Sequence, residues 1–520
     1  MGRQPMAFLR SAPEQMRIAM KGLEMITPDF TEFERLSVAG NLIPMCTEIP
    51  GDLNTPVSAF MKIDDGKSSF LLESVEGGER WARYSCLGAQ PRTIVRAKQG
   101  RIEITRDNGT TEQAVSDDPT RIVRKLLDEF KPVRVPGVPE FFGGAIGFLG
   151  YDMVRHFERI PRLSRPDLGF YDACFMLTRD MVLFDNLEHK IMLMTAVNPE
   201  EHASLPAAYE HGLQRLQDLK DKLDGPIPMR PAQEGCTNGN DFQSTISKED
   251  FEKMVLVAKE HIVAGDIIQV VLSQRFQGHI DYDPVDVYRG LRIVNPSPYM
   301  FFLRFGDEVL AGSSPEVMVR LRDGNAVVRP IAGTRPRGES PEHDAELERE
   351  LLNDEKELAE HVMLVDLARN DLGRIARPGT VRVDEFKIVE RYSHVMHMVS
   401  NVRAAVADGY DAFDVLRATF PAGTLSGAPK IRAMEIIEYL EPEHRGPYGG
   451  CAGYFSYSGA MDMGITIRTV TMKGSTAYFQ SGAGIVADSV PELEYLETLK
   501  KAEAMKKALK MASNLNGRLK

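Results

Sequence analysis

Short runs of alternating apolar and polar residues dominate the first half of this sequence and limit the folds that it can adopt. Examples are RTIVRAK (92–98), DMVLFDN (180–186) and KIMLMTAV (190–197). Alternation with a period of two predicts strands, and the turn residues between the runs predict antiparallel connections. Helical patterns at 119–130 and 199–222 accompany these strands. The mixture predicts an α+β fold in which large sheets carry helices on one side.

The domain organisation follows from length and from one break in composition. A chain of 520 residues is longer than a single hydrophobic core usually supports, so we expect two domains. The segment 223–241 is rich in Pro, Gly and Asn and has no apolar period, which predicts a linker between domains at 25–222 and 242–520. Residues 1–24 lack an apolar core and a cleavage site, so we expect a disordered extension rather than a signal peptide.

Charge and cysteine content exclude several classes of function. The net charge of −12 argues against a nucleic-acid-binding surface, and no apolar run approaches the roughly 20 residues that a membrane helix requires. The five cysteines are scattered without a CxxC motif, which is typical of free thiols in a reducing cytoplasm. With this net charge, an anionic substrate would need positive charge supplied locally by Arg, Lys or a metal ion.

Two pairs of glutamates at helical spacing are the first candidate for chemistry. Glu357 and Glu360 lie in DEKELAEHVMLVDLARND (354–371), and Glu494 and Glu497 lie in PELEYLETLKKAEA (491–504). With 75 acidic residues, chance gives about 11 such pairs, so either pair alone indicates a solvated helix face. If the pairs converge, charges about 4 Å apart repel by about 4 kcal/mol, and a cation must relieve that. Oxygen ligands favour Mg²⁺.

Three details of these helices are further expectations. We expect His361 to pack the helix rather than to bind metal. The second helix is expected to begin near Ser489, with Glu492 completing a capping box. Its spacing of three is expected to place Lys500 on the same face as Glu494 and Glu497.

Other segments indicate how an anion could be bound. GITIRTV (464–470) is predicted to be a strand with one arginine, Arg468, and a half-buried arginine needs an anionic partner. QSGAGIV (480–486) places glycines at a strand end, where backbone N–H groups can approach a ligand, although a bulge is an equally simple explanation. FPAGTLSGAPK (420–430) lacks the Gly-Lys-Ser/Thr of a phosphate loop, so nucleotide binding is disfavoured.

Seven motifs occur in order along nearly the whole chain from about Met25. They are PIAGTRPRG, DEKELAEHVMLVDLARNDLGRI, RYSHVMHMVS, FPAGTLSGAPKIRAME, YGGCAGYF, GITIRT and GAGIVADSVPELEYLETLKKA. Together they resemble the chorismate-utilising enzymes. The resemblance implies two large antiparallel sheets packed as a sandwich with flanking helices, an N-terminal regulatory domain and a C-terminal Mg²⁺-dependent catalytic domain.

The resemblance assigns roles position by position. Glu360 and Glu497 match direct metal ligands, whereas Glu357 and Glu494 match ligands that act through water. The catalytic set that it implies is Glu316, the general acid for the departing C4 hydroxyl, with His397 for pyruvate elimination and Thr424. The substrate-binding set that it implies is Gly333, Thr334, Tyr448, Arg468, Gly482, Ala483, Gly484, Lys500 and Gln269. A general acid must stay protonated, so we expect an enclosed Glu316 with a raised pKa.

Relatives with this fold catalyse different reactions, so the fold alone does not fix the product. Two positions in the sequence help to identify it. Relatives that add water carry a lysine base where this chain has Gln269, and aminodeoxychorismate synthases use a nucleophilic lysine where it has Ala332. Both residues favour attack by ammonia at C2 and then loss of pyruvate, which gives anthranilate. Aminodeoxychorismate formation, a non-catalytic tryptophan sensor and a Mg²⁺-nucleotide phosphotransferase remain as alternatives.

The resemblance also implies inhibition by tryptophan and a partner subunit. The effector residues that it implies are Leu72, Glu73, Ser74, Pro298, Tyr299, Met300 and Tyr454. Taken alone, FLLES would be only a strand with a charged edge. No cysteine lies in a Gly-x-Cys-x-Gly setting, so we expect ammonia from a separate glutamine amidotransferase subunit, in a heterotetramer of two large and two small subunits.

Overall fold

Two large antiparallel sheets form the framework of the protein. The computed structural model describes residues 25–75, 83–163, 168–228, 242–392 and 395–515. In these ranges the strands are β1 Ile43–Pro50, β2 Ser68–Glu73, β3 Tyr84–Ala89, β4 Thr93–Lys98, β5 Arg101–Arg106, β6 Thr111–Val115, β7 Gly144–Leu149, β8 Ala173–Thr178, β9 Asp180–Asp185, β10 Lys190–Val197, β11 Gln243–Ser244, β12 Gln269–His279, β13 Tyr299–Phe305, β14 Glu308–Ser314, β15 Val317–Arg322, β16 Asn325–Val328, β17 Ile331–Pro336, β18 Arg382–Arg391, β19 Val395–Ala405, β20 Gly427–Ala428, β21 Cys451–Ser456, β22 Met461–Ile465, β23 Thr469–Lys473 and β24 Thr476–Ile485.

Helices flank these sheets. The α-helices of the described ranges are α1 Phe30–Leu36, α2 Pro56–Ile63, α3 Thr120–Asp128, α4 Leu205–Asp224, α5 Lys248–Val263, α6 Pro284–Val294, α7 Pro341–Asn353, α8 Glu355–Gly373, α9 Ala412–Thr419, α10 Lys430–Leu440 and α11 Pro491–Leu515. The fold is therefore α+β, as the sequence predicts.

Each sheet combines strands from both sides of the predicted linker. The first sheet has the order β1-β10-β9-β3-β2-β13-β14-β23-β24-β12-β11, and β20 pairs with β12. The second has the order β17-β19-β16-β15-β22-β21-β7-β8-β4-β5-β6, and β18 pairs with β19. The two halves of the sequence meet where β2 pairs with β13 and where β7 pairs with β21. Of the predicted linker, residues 229–241 lie outside the described residues, as does the predicted extension 1–24.

The two largest cores of the described ranges hold the sheets and helices together. Between the sheets, Phe148 of β7 and Phe305 of β13 pack edge to face with their ring centroids 5.9 Å apart. On the outer face of the first sheet, Phe60 of α2 packs on Phe302 of β13 at 5.2 Å, in a core that includes Tyr288 of α6. Burial of each such ring contributes about 1.5–3 kcal/mol, so these contacts fix the sandwich that carries the candidate site.

The two acidic helices begin where the sequence places them, although one cap differs. The Asp354 side chain caps α8 by accepting the N–H groups of Lys356 and Glu357. The prediction that Glu492 completes a capping box at the start of α11 is wrong, because its carboxylate forms an ion pair with Lys248 at 2.7 Å. The glutamate that hydrogen-bonds to Ser489 is instead Glu494.

The segment GITIRTV is not one strand, contrary to prediction. β22 ends at Ile465 in the second sheet and β23 begins at Thr469 in the first, so the chain crosses between sheets here. Arg468 lies in this crossover with a φ of 47°, a left-handed conformation that side-chain-bearing residues seldom adopt. Arg468 is therefore carried by a crossover rather than by a strand.

The structure bears on the predictions for the cysteines and for membrane-spanning helices. The cysteines Cys46, Cys86, Cys174 and Cys451 are buried free thiols, and Cys236 lies outside the described residues. No helix within the described ranges is both long enough and apolar enough to cross a membrane.

Candidate active site

Glu316 is a buried carboxyl at the turn between β14 and β15. It is 8% exposed, and the hydroxyl of Thr424, in the 3₁₀ turn Gly423–Leu425, lies 3.0 and 3.2 Å from its two oxygens. Burial raises the pKa of Glu316 to about 8, although the Thr424 hydrogen bond and the charge of Arg468 act to lower it. A large fraction of this carboxyl therefore carries a proton at neutral pH, as a general acid requires.

Arg468 faces Glu316 as a desolvated cation. Its Nη1 donates a hydrogen bond to Oδ1 of Asn295 at 3.3 Å, and burial lowers the pKa of its guanidinium. Within the described ranges, no carboxylate lies at ion-pair distance from it. A buried guanidinium without such a partner is suited to binding an anionic ligand.

His397 and Thr334 face each other across neighbouring strands. Thr334 of β17 pairs with His397 of β19, and the Thr334 hydroxyl lies 2.9 Å from Nδ1 of the imidazole. Burial, followed by the charge of Arg468, lowers the pKa of His397 to about 4. The imidazole is therefore uncharged near neutral pH, and a pKa this low makes it a weak base.

Gly333 allows β17 to lie against the first turn of α8. Its φ is 74°, and a Cβ at this position would lie 2.8 Å from Leu351 and 3.1 Å from the Glu357 carboxylate. A larger residue would therefore displace either the strand or the acidic turn, which explains why glycine occupies the position.

The glycines of QSGAGIV lie within β24, between two polar side chains. A Cβ on Gly484 would lie 2.5 Å from Nε2 of Gln269, and a Cβ on Gly482 would lie 3.0 Å from the Tyr448 hydroxyl. Ala483, between them, is fully buried in the core behind the strand. The absence of side chains at 482 and 484 thus lets Gln269 and Tyr448 approach the backbone of β24.

Gln269 connects this strand end to the first acidic pair. Its Nε2 donates to Oε1 of Glu360 at 3.3 Å. Its Oε1 is buried, and no partner for it exists among the described residues. An unpaired buried acceptor costs about 1–3 kcal/mol, so this oxygen is available to a donor on a ligand.

Each acidic pair is held by a cation from the protein. Burial raises the pKa of Glu357, and Arg335 donates to its carboxylate at 3.3 Å. Burial likewise raises the pKa of Glu494, and the neighbouring Glu497 acts in the same direction. Lys501 lies 2.6 Å from Glu497 and donates to the carbonyl of Gly482 at 3.0 Å. The second pair is thereby tied to β24.

The two pairs approach the same strand end from two helices. Glu360 reaches it through Gln269 and Glu497 reaches it through Lys501. Lys356 of α8 forms an ion pair with Asp488, just before α11, at 3.5 Å. Among the described residues, no three acidic, His or Cys side chains lie close enough together to hold a metal ion. Burial, with repulsion from the neighbouring glutamate, raises the pKa of Glu357 and of Glu494, and carboxylate oxygens in such a setting are the ligands that a hard divalent cation such as Mg²⁺ prefers.

Lys500 does not lie with the acidic pair, so this part of the sequence prediction needs correction. Both lysines are exposed, but of the two it is Lys501 that contacts Glu497 and Gly482. Successive residues of an α-helix are rotated by 100° about its axis. Lys501, seven positions after Glu494, therefore lies on nearly the same face as Glu494, whereas Lys500, six positions after it, is rotated away by about 120°. Counting the helical phase would have selected Lys501 from the sequence.

His361 is a packing residue, as expected. It is fully buried, and its Nε2 lies 2.6 Å from the hydroxyl of Ser400 on β19. Burial lowers the pKa of His361 to about 4, so its imidazole is neutral where it anchors α8 to the sheet.

All seven residues expected at an effector site line one cavity. Its volume is about 460 Å³, and its wall includes Leu72, Glu73, Ser74, Pro298, Tyr299, Met300 and Tyr454. The Ser74 hydroxyl is buried without a partner in the described part of the chain. The ring of Tyr454 stacks on Phe141, a wall residue that sequence reasoning missed, with centroids 3.8 Å apart.

Glu73 has a structural partner of its own. Its carboxylate accepts hydrogen bonds from Tyr288 and from Arg292, the latter at 3.1 Å, and both donors belong to α6. The Glu73 side chain is only 2% exposed. The residue therefore ties β2 to α6 in addition to lining the cavity.

Comparison with known proteins identifies the family. A model of the chorismate binding enzymes matches residues 68–507. Anthranilate synthase component 1 of Acetivibrio thermocellus is 45% identical, with 94% of this chain and 100% of that protein covered. The protein of that name from Pseudomonas aeruginosa is 47% identical, with 92% and 98% covered.

Solved structures agree with this result. Anthranilate synthase component I from Streptococcus pneumoniae TIGR4 matches with a TM-score of 0.73 and 37% identity, over 88% of this chain and 98% of that one. MenF, the menaquinone-specific isochorismate synthase from Escherichia coli, matches with a TM-score of 0.66 over 92% and 99%, and at 19% identity it shows the shared fold alone. The chain belongs to the chorismate binding enzymes and, within them, to the anthranilate synthase component 1 proteins.

Proposed function

We propose that this chain converts chorismate and ammonia into anthranilate and pyruvate, through 2-amino-2-deoxyisochorismate, as the first committed step of tryptophan biosynthesis. The main support for the proposal is the enclosed Glu316 carboxyl, which lies near Thr424 and Arg468. Burial raises its pKa to about 8. A proton held there at neutral pH is what departure of the C4 hydroxyl as water requires.

The first step forms a carbon–nitrogen bond and breaks a carbon–oxygen bond. Ammonia attacks C2, the ring double bonds shift, and Glu316 gives its proton to the C4 hydroxyl, which leaves as water. Arg468 and Tyr448 would bind the carboxylates of the dianion, and the backbone N–H groups of Gly482 and Gly484 would assist them. Ammonia is already a nucleophile, so Gln269 need not act as a base.

The second step removes pyruvate and makes the ring aromatic. The proton on C2 must be accepted while the bond between C3 and the enolpyruvyl oxygen breaks. His397 is the candidate acceptor, because burial keeps its imidazole uncharged at neutral pH. Its pKa, lowered to about 4, makes it a weak base, and the negative charge of the bound dianion would raise that pKa. Thr334, at 2.9 Å, would fix the orientation of the ring.

We propose Mg²⁺ as the cofactor of this site. Glu360 and Glu497 would hold it directly and Glu357 and Glu494 through water, and its charge would draw the ring carboxylate of chorismate. The carboxylates on two helices, of which Glu357 and Glu494 have raised pKa values, support this assignment.

A partner and an effector complete the proposal. The "component 1" in the relatives' names implies a second component, and we propose a glutamine amidotransferase subunit that supplies ammonia, in an assembly of two large and two small subunits. The cavity of about 460 Å³ would bind tryptophan as an inhibitor, with the unpaired Ser74 hydroxyl among its polar contacts.

The direct test uses the chain alone. The purified protein, given chorismate, Mg²⁺ and an ammonium salt, should produce anthranilate fluorescence and an equal amount of pyruvate. Glu316→Gln, which is isosteric but cannot supply the acidic proton, is the control. Accumulation of aminodeoxychorismate or isochorismate instead would overturn the proposed product, and absence of any turnover would overturn the proposed activity.

A further inference from the structure

Arg335 occupies the centre of an ion-pair network beside the first acidic pair. It lies on β17, and its guanidinium donates to Glu350 at 2.9 Å, to Asp354 at 2.8 Å and to Glu357 at 3.3 Å. A further bond, of 3.1 Å, goes to the carbonyl of Thr334. The Arg335 side chain is 16% exposed, so solvent screens these contacts less than it screens a surface ion pair.

The three carboxylates belong to two consecutive helices. Glu350 lies in α7, Asp354 caps α8, and Glu357 belongs to the first turn of α8. Oδ1 of Asp354 accepts the N–H groups of Lys356 and Glu357, while its Oδ2 accepts from Arg335. One rigid guanidinium fork thus connects β17, the end of α7 and the start of α8.

We propose that Arg335 is a positioning residue for the candidate active site: its fork fixes the first turn of α8, and with it the carboxylates Glu357 and Glu360. Affinity for a divalent cation should then depend on the geometry of the guanidinium, and a lysine of equal charge should not replace it. This inference deepens the proposed function and relies on it only for the identity of the cation.

Arg337, the residue directly after β17, provides a matched control. It forms bonds with Asp344 at 3.0 and 3.1 Å and with the carbonyl of Tyr392 at 2.7 Å, and none of these partners belongs to α8. Arg337→Lys therefore makes the same chemical change two residues away and leaves the α8 contacts intact.

The experiment compares Arg335→Lys, Arg337→Lys and the wild-type protein by two measurements. Amide hydrogen exchange of the segment 354–361 reports the order of the first turn, and we expect it to be about tenfold faster in Arg335→Lys only. Calorimetric titration of Mg²⁺, with chorismate present and ammonia absent, should give a dissociation constant about tenfold higher in the same variant.

The outcomes separate this inference from the proposed function. Wild-type exchange and wild-type Mg²⁺ affinity in Arg335→Lys would overturn the inference. A wild-type protein that binds no Mg²⁺ would contradict the proposed cofactor, and the exchange measurement would still decide whether Arg335 orders the turn. If Arg335→Lys fails to fold, Asp354→Asn serves in its place, because asparagine keeps the cap but weakens the bond to Arg335. Faster exchange in that variant supports the inference, and unchanged exchange overturns it.

Discussion

The hydroxyl of Thr424 lies 3.0 and 3.2 Å from the two oxygens of the Glu316 carboxyl, in a turn that encloses this acid. The contact alone would lower the pKa of Glu316, yet burial outweighs it and the pKa rises to about 8. Thr424 therefore orients an acid that its surroundings keep protonated.

The raised pKa of Glu316 predicts the pH dependence of turnover. The acidic form is present below a pH of about 8 and is lost above it, so kcat should fall as the pH rises through that value. The measurement needs a constant concentration of free ammonia, because ammonium also loses its proton as the pH rises. Glu316→Gln should lower kcat by about 10²–10⁴-fold and remove this dependence. A wild-type rate that stays level up to pH 9.5 would contradict the role of Glu316.

The acidic pairs predict the response to metal. Glu360→Gln or Glu497→Gln removes one charged ligand, and kcat should fall by about 100-fold or more, equivalent to about 3 kcal/mol. The Mg²⁺ concentration that gives half-maximal activity should rise in both variants. Steady-state rates over a Mg²⁺ series test this, and an unchanged metal response in either variant would remove that glutamate from the ligand set.

The helix phase of α11 predicts different effects at two adjacent lysines. Lys501→Ala loses the contacts with Glu497 and the Gly482 carbonyl, so kcat/KM should fall about tenfold or more. Lys500→Ala removes neither of these contacts, so its kcat/KM should stay within about twofold of wild type. Parallel assays of the two variants are sufficient, and a larger loss in Lys500→Ala would show that the assignment to Lys501 is wrong.

The cavity that includes Ser74 predicts an inhibition-resistant variant. Ser74→Phe fills part of the cavity and removes the unpaired hydroxyl, so the tryptophan concentration for half inhibition should rise about tenfold or more. Without tryptophan, kcat and the KM for chorismate should remain near their wild-type values. Inhibition curves at fixed chorismate measure both effects. Unaltered inhibition would mean that tryptophan does not bind against Ser74.

Much of the fold can be predicted from local patterns. The alternation in RTIVRAK and KIMLMTAV predicts β4 and β10, and the acidic helix with His361 on its buried side corresponds to α8. These predictions succeed because side-chain period and capping act over a few residues.

Features that depend on distant parts of the chain were not predictable in this way. The continuity of each sheet across the predicted linker arises from the pairing of β2 with β13 and of β7 with β21, and local periodicity does not specify a strand's partner. The sequence around Arg468 has the pattern of a strand because its apolar residues enter the core between the two sheets.

The candidate site likewise combines residues that local motifs predict with contacts that depend on tertiary packing. The motifs locate Glu316, His397 and the two acidic pairs, but the contacts of Arg335 with three carboxylates become visible only once α7, α8 and β17 are packed together. The one-residue error at Lys500 has a simpler origin, since a helix has 3.6 rather than 3 residues per turn.

The central claim is that Glu316, Arg468 and the two acidic pairs serve one bound chorismate. A crystal structure of the protein with chorismate and Mg²⁺, without ammonia, tests it most directly. We predict the C4 hydroxyl within hydrogen-bonding distance of Glu316, with a carboxylate of chorismate on Arg468 and Mg²⁺ between the glutamates of α8 and those of α11. Chorismate bound elsewhere, or Mg²⁺ without contact to either helix, would contradict the account.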